Sequence, residues 1–259
     1  MAFYAVGHRL PAWIAKRLFG DRVRHGLVPD VDDPMWKEWH RRNIEFYNAN
    51  QRASLGRTVN RAGHSIVKDI DIDGKSVIEI GPGALDHMDH WAGTPALFTC
   101  VDIDDQFLQL SVERLKARGI PHTAILLKRE DGVALPVASQ SYDVVLTFYS
   151  LEHIHPLEPQ LREFARILKP GGVIAGAIPC EGGLAWGLGR FLTSRRWLQK
   201  HTTIDPDKLI CWEHPNFADR ILNALSDHFD VKRTSFWPLR LPMIDVNLIA
   251  RFVLRRRDT

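Results

Sequence analysis

The chain has 259 residues, 45% hydrophobic and 25% charged, a balance that supports one sizeable core and excludes disordered or collagen-like organisation. A net charge of +3 is too small to point to nucleic acid as a partner, and no run of about 18 apolar residues or secretory-type apolar leader is present. The cysteines Cys100, Cys180 and Cys211 are odd in number and lack CxxC spacing, so no disulfide framework or metal site is expected, and a reducing, cytoplasmic setting is the simplest expectation.

Residues 1–74 read as helices and loops, an N-terminal extension or cap rather than a separate domain. Within it His8, Arg9, Lys16, Arg17, Arg22 and Arg24 interleave with Phe3, Tyr4, Leu10, Trp13, Ile14, Leu18 and Phe19. That pattern fits a helix docked on its own domain, the favoured reading, or a peripheral contact with a membrane surface. Pro34 opens a helical stretch containing Trp36, Trp39, Ile44 and Phe46.

Residues 75–259 form the main domain. Apolar runs at Ser76–Ile80, Leu97–Val101, Thr123–Leu127, Tyr142–Phe148 and Gly172–Ile178 alternate with helical patterns at Ala84–Trp91, Asp104–Ala117 and Glu158–Leu168. This βαβα rhythm predicts an α/β fold with a doubly wound, mostly parallel sheet. After Pro179 the rhythm gives way to an aromatic helix over Leu184–Leu198 and a loop from His201 to Pro215, a lid or substrate-shaping insertion over about 181–216. A helix over Phe217–His228 and two late strands, Phe229–Phe236 and Asp245–Leu254, bring the sheet to seven strands.

The sharpest local signal is Val77-Ile78-Glu79-Ile80-Gly81-Pro82-Gly83, a buried strand entering a glycine turn. Glycine lets the backbone approach a ligand closely. The next strand ends on Asp102, placed to accept hydrogen bonds from both hydroxyls of a ribose, so the pair points to an adenosine-type ligand. A dinucleotide would want a third glycine where Asp86 stands, and an anion there opposes phosphate, which disfavours a nicotinamide oxidoreductase. A ligand with an amino group and no phosphate tolerates both Glu79 and Asp86.

With these parts in place, the stretch from Asp73 to Pro179 resembles the class I S-adenosylmethionine-dependent methyltransferases acting on small molecules. The resemblance rests on Glu79-Ile80-Gly81-Pro82-Gly83, Asp102, Glu130-Asp131-Gly132-Val133-Ala134-Leu135-Pro136, Tyr142-Asp143-Val144-Val145, Leu151-Glu152-His153-Ile154 and Arg166-Ile167-Leu168-Lys169-Pro170-Gly171-Gly172. It implies a Rossmann-like methyltransferase fold with S-adenosyl-L-methionine as cofactor. It further implies Gly81 and Gly83 at the methionine end, Asp102 with Ile103 at the ribose, Asp131 with Gly132 at the adenine amine, and Phe148 and Tyr149 nearest the methyl group. Some relatives hold a metal with Glu-x-x-Glu-His, but Tyr149 replaces the first carboxylate here, so no metal is expected. His153 is either a general base for an acceptor hydroxyl, with Tyr149 beside it, or part of a helix-opening pair satisfied within the fold.

The later segment, Pro179-Cys180-Glu181-Gly182-Gly183-Leu184-Ala185-Trp186 with Arg195-Arg196 and Glu213-His214-Pro215-Asn216, resembles methyltransferases of bacterial polysaccharide and lipopolysaccharide gene clusters more loosely. That resemblance implies a small-molecule acceptor, a saccharide or glycan-precursor hydroxyl, met by Glu181, Trp186, Arg195 and Arg196. Methyl transfer to nitrogen or carbon of another metabolite, and a catalytically silent cofactor-binding protein, remain open alternatives, as does the oligomeric state.

Overall fold

The computed structural model describes residues 2–52, 54–128 and 132–257, and the side chains of residues 44 and 46–55 lie outside that description. A seven-stranded sheet runs in the order β3-β2-β1-β4-β5-β7-β6. Its strands are β1 (Ser76–Ile80), β2 (Leu97–Asp102), β3 (His122–Leu126), β4 (Tyr142–Phe148), β5 (Leu168–Pro179), β6 (Phe229–Trp237) and β7 (Ile249–Arg256). Every pairing is parallel except β5 with β7 and β7 with β6. Strand order reverses between β1 and β4, which opens a crevice at their carboxyl ends, where open α/β sheets bind ligands.

The period-two alternation of the strands assigns each face its core. Ile78, Ile80, Val145 and Ile174 face α6 (Leu157–Ile167) and α10 (Ala218–His228), where Leu161, Phe164, Leu222 and Leu225 are buried with them. Val77, Phe98, Val144 and Leu146 face the other way, against Leu108 and Leu115 of α5 (Asp105–Ala117). The same second core takes in Val59, Ile66, Val67, Ile70 and Ile72 from the N-terminal extension. That extension consists of α1 (Ala12–Phe19), α2 (Arg22–His25), α3 (Pro34–Arg52) and α4 (Ser54–His64), followed by a short turn of 3-10 helix.

Three expectations from sequence are corrected here. No α-helix forms over Ala84–Trp91, where only Met88–His90 makes a 3-10 turn. Positive φ at Gly81, Gly83 and Leu85 breaks the chain out of helical geometry. The segment from His201 to Pro215 is not a plain loop, because α9 (Pro206–Glu213) lies within it. The Asp205 side chain accepts hydrogen bonds from the N–H groups of Asp207 and Lys208, and Pro206 sits in the first turn, a start signal written in the sequence. The aromatic helix divides into α7 (Leu184–Leu192) and α8 (Ser194–His201) at Thr193, whose hydroxyl bonds back to the Gly189 carbonyl at 2.8 Å.

Candidate active site

The glycine turn lies at the crevice between β1 and β4. Gly81 has φ 68°, and a Cβ there would stand 2.9 Å from the Ser150 Cβ, so the turn and the end of β4 touch backbone to side chain. Ser150 secures that contact by donating to the Ile80 carbonyl at 2.9 Å. Beneath the turn Glu79 is fully buried, with both carboxylate oxygens 2.9 Å from Nε2 of His87. The indole N–H of Trp91 points at His87 Nδ1 at 2.9 Å. An indole can only donate, so Nδ1 accepts and the proton on Nε2 faces Glu79. Burial raises the Glu79 carboxyl above its usual range, and His87 opposes that rise.

His64, at the end of α4, packs edge-on to His87, Phe148 and Tyr149 at centroid distances of 5.5, 5.2 and 5.5 Å. Burial, followed by the charges of His87 and His90, pushes its pKa down from 6.5 to about 3. A folded pKa below the unfolded one gives a contribution that is whole above 6.5 and lost as pH falls toward 3. We expect acidification to pH 5 to cost roughly 2 kcal/mol through this residue, at ~1.4 kcal/mol per pH unit. Denaturant titrations of the wild type and His64→Phe at both pH values isolate that loss: between pH 7 and pH 5 the variant should gain roughly 2 kcal/mol relative to the wild type, every other titrating group acting on both alike.

Across the turn, Asp102 closes β2, and its Oδ1 accepts the Asp104 N–H at 2.9 Å. Burial above all lifts its pKa to about 6. Ile103 projects outward beside it, 53% exposed. Asp104 caps α5 through the N–H of Gln106, and its Oδ2 accepts Asn43 Nδ2 of α3 at 3.2 Å, which brings the extension to this edge of the crevice. Gly132 is exposed with φ 72°, whereas Asp131 lies outside the described residues. Asp86 is drawn away from the turn into an ion pair with Arg114 of α5 at 2.8 Å.

Of the two aromatic residues at the end of β4, Phe148 is buried against His64 and His87. Tyr149 has φ 54°, and its hydroxyl donates to the Val59 and Asn60 carbonyls of α4 at 3.1 Å each. Burial raises that phenol above its ordinary range, with Glu152 adding to the rise. The phenol is thus committed to holding the extension, so the structure gives it no free proton-transfer position.

Beyond Tyr149 the chain enters a second polar cluster that joins β4, β5, α7 and α9. Glu181, which follows β5, is fully buried, and its Oε2 accepts from Trp186 Nε1 at 2.8 Å, Arg190 at 2.5 Å and His214 Nδ1 at 2.9 Å. Among the described residues its Oε1 has no hydrogen-bond partner, nor has Oε2 of Glu152, which is also buried. His153 Nδ1 donates to the Glu213 carbonyl at 2.5 Å, and its Nε2 lies 4.0 Å from Glu152 Oε1. Its ring meets that of His214 edge-on at 4.8 Å.

The two neighbours titrate in opposite senses to a simple base assignment. Burial would lower His153, but the Glu213 hydrogen bond and the charges of Glu152 and Glu213 carry it to about 9. Burial lifts Glu152 to about 7, against the pull of His153. The imidazole is therefore protonated at neutral pH, while the carboxylate sits at the balance point.

The structure brings Glu181 and Trp186 together and leaves Arg195 and Arg196 away from them. Arg195 is paired with Asp207, at 3.0 Å for its second contact, and Arg196 is exposed on α8. The cation that meets Glu181 is Arg190, one turn after Trp186 on the same face of α7. Sequence reasoning missed Arg190, Glu213 and His214 as site residues. The Glu213-His214 pair was visible as a motif, but only the fold shows that it faces Glu152-His153.

With this geometry established, similarity to known proteins has a definite place to fall. Residues 78–176 match the methyltransferase domain family. That segment runs from β1 through β5 and carries the turn, Asp102 and Glu152. A fatty-acid O-methyltransferase of Mycolicibacterium smegmatis is 30% identical over 112 residues, 42% of this chain and 39% of that one. The chain thus spans well under half the length of this curated relative. Among solved structures, a SAM-dependent methyltransferase from Aquifex aeolicus superposes with a TM-score of 0.50 at 13% identity, over 74% of this chain and 88% of that one. The [4+2]-cyclase SpnF gives 0.56 at 13% identity, over 80% and 84%. These two likenesses establish the Rossmann-like methyltransferase fold.

Proposed function

We propose that the protein transfers a methyl group from S-adenosylmethionine to a hydroxyl of a small-molecule acceptor, with a saccharide or glycan precursor as the preferred class. One observation carries the cofactor assignment: the glycine turn lies beside the half-buried carboxylate of Asp102, and no α-helix opens behind it. Pyrophosphate sites draw on a helix N-terminus, and none follows this turn. The match of residues 78–176 to the methyltransferase domain family points the same way. The fold alone does not decide the reaction, since a [4+2]-cyclase shares it.

The acceptor side favours a hydrogen-bond donor. Glu152 Oε2 and Glu181 Oε1 are buried acceptors awaiting partners, and an acceptor hydroxyl satisfies them where a carboxylate would be repelled. Trp186, held by Glu181, offers an apolar face to a sugar ring. In this reading the cofactor, when bound, supplies an activated methyl group. Gly81 and Gly83 let the backbone approach its methionine end, and Asp102 holds its ribose hydroxyls. Glu152 takes the acceptor's proton, His153 positions Glu152 as its cationic neighbour, and Tyr149 fixes α4 against the crevice. The enzyme otherwise contributes orientation and exclusion of water.

Calorimetric titration tests the cofactor assignment directly. S-adenosylhomocysteine should bind and raise the melting temperature while NAD does neither. Asp102→Ala should weaken that binding by about 1.5 to 3 kcal/mol, the scale of lost charge-assisted hydrogen bonds. Preferential binding of NAD would overturn the assignment. Transfer of labelled methyl to methyl glycosides, compared with a fatty acid and an amine, tests the acceptor class.

A further inference from the structure

Two acid-free segments meet on one face of the molecule. Residues 2–20 and 184–201 contain no Asp or Glu. They abut in space, because Arg190 donates to the Leu18 carbonyl at 2.6 Å and Arg195 to that of Arg17 at 3.4 Å. The buried side of α1 is used up in this packing, with Leu18 and Phe19 lying over Gly187. What remains outside is unusually apolar: Trp13 is 69% exposed, Leu188 49% and Leu192 52%. Helical spacing explains how α7 serves two purposes. Trp186 and Arg190 face Glu181, and Leu188 and Leu192, each two positions on, fall about 200° round the helix on the opposite side.

Exposed bases stand on the same segments as these apolar side chains, Arg17 four positions after Trp13 and Arg196 four after Leu192. Arg9, Arg17, Arg196 and Lys200 are all exposed. Carboxylates that reach these segments are engaged, Asp21 with Lys16, Asp207 with Arg195 and Asp219 with His8. Exposed apolar side chains among exposed bases, on segments that carry no acid of their own, match a surface that is oily beneath and anionic at its boundary. We propose that the face where α1 meets α7 and α8 docks on an anionic lipid surface, with Trp13, Leu188 and Leu192 entering the headgroup boundary and Arg9, Arg17 and Arg196 meeting lipid phosphates. Docking there sets the outer side of α7 on lipid while its inner side walls the acceptor cluster. This inference stands on the surface alone and survives if the proposed reaction fails.

Co-sedimentation of the full chain with vesicles tests it. Vesicles of phosphatidylcholine and phosphatidylglycerol in equal parts should bind the protein at least about tenfold better than vesicles of phosphatidylcholine alone, as the summed attraction of several bases to anionic lipid requires. Raised salt should release it. Arg17→Glu with Arg196→Glu, and separately Trp13→Ser with Leu192→Ser, should each reduce binding to the level of neutral vesicles without lowering the melting temperature. Equal binding of the wild type to both vesicles overturns the proposal, and so does full binding by folded variants. Lipid-free self-association in sedimentation velocity that Trp13→Ser abolishes would assign the face to a second copy of the chain.

Discussion

Glu181→Ala is expected to lower unfolding free energy by about 3 to 5 kcal/mol, because it strands the Arg190 guanidinium in the interior. The Arg190 side chain is only 11% exposed, and the carboxylate is the ion-pair partner it meets there among the described residues. At about 2 to 4 °C per kcal/mol for a chain approaching this size, scanning calorimetry should register a fall in melting temperature of roughly 10 °C. Trp186 and His214 lose the same acceptor, so the acceptor cluster loosens as well. The double substitution Glu181→Leu with Arg190→Met should recover much of the loss, since no buried charge is then left unpaired. Acid should act in the same direction. Burial works to raise Glu181, but Arg190, His214 and Arg22 overcome it and hold the carboxyl at about 2. Its folded pKa is thus below its ordinary 4.5, and its contribution is present above 4.5 and lost as pH falls toward 2. A Glu181→Ala protein as stable as the wild type would show that Arg190 finds water or another acceptor.

Glu152→Gln is expected to reduce turnover by about a hundredfold or more while leaving S-adenosylhomocysteine affinity intact, the range for loss of a general base. The wild-type rate should climb with pH through about 7, where Glu152 gives up its proton, and hold until about 9, where His153 loses its charge. The Gln variant should lack the climb. His153→Gln should move it to higher pH, because removing the cation leaves burial to act on Glu152 with less opposition. An unchanged limb in Glu152→Gln would pass the proton to a different group.

The sheet was legible because its signals are local. β1 and β4 begin and end where alternating apolar residues begin and end, and Asp102 falls at the mouth of β2 as the turn-to-carboxylate spacing requires. The helix after the turn was misread because the apolar residues at 85, 88 and 91 have helical spacing, yet Leu85 takes φ 51° and Glu79 draws His87 inward. Periodicity cannot register a buried hydrogen bond between a carboxylate and an imidazole. The acceptor cluster was half legible for the same reason. Glu181 and Trp186 stand within one motif, but the arginine that answers them was set by helix phase, and Asp207, twelve residues along, claims Arg195 instead. His153 invited the role of base by its type alone, and only its neighbours Glu152 and Glu213 show that it is protonated at neutral pH.

The contact between Tyr149 and α4 bears on what counts as one folding unit. A Cβ on Gly63 would stand 2.0 Å from the Tyr149 hydroxyl, so the helix is pressed onto the sheet edge with no space between. Ile66, Val67, Ile70 and Ile72 follow directly and are all buried in the core shared with β1 and β2. At about 1.5 to 3 kcal/mol for each buried aliphatic side chain, these four alone contribute on the order of 10 kcal/mol, which is comparable to the whole stability of a typical domain. Residues before the first strand are therefore expected to share one cooperative transition with the sheet they cover, seen as a single peak in scanning calorimetry. On that expectation the boundary drawn near residue 74 from the sequence divides the pattern of the chain and not its folding.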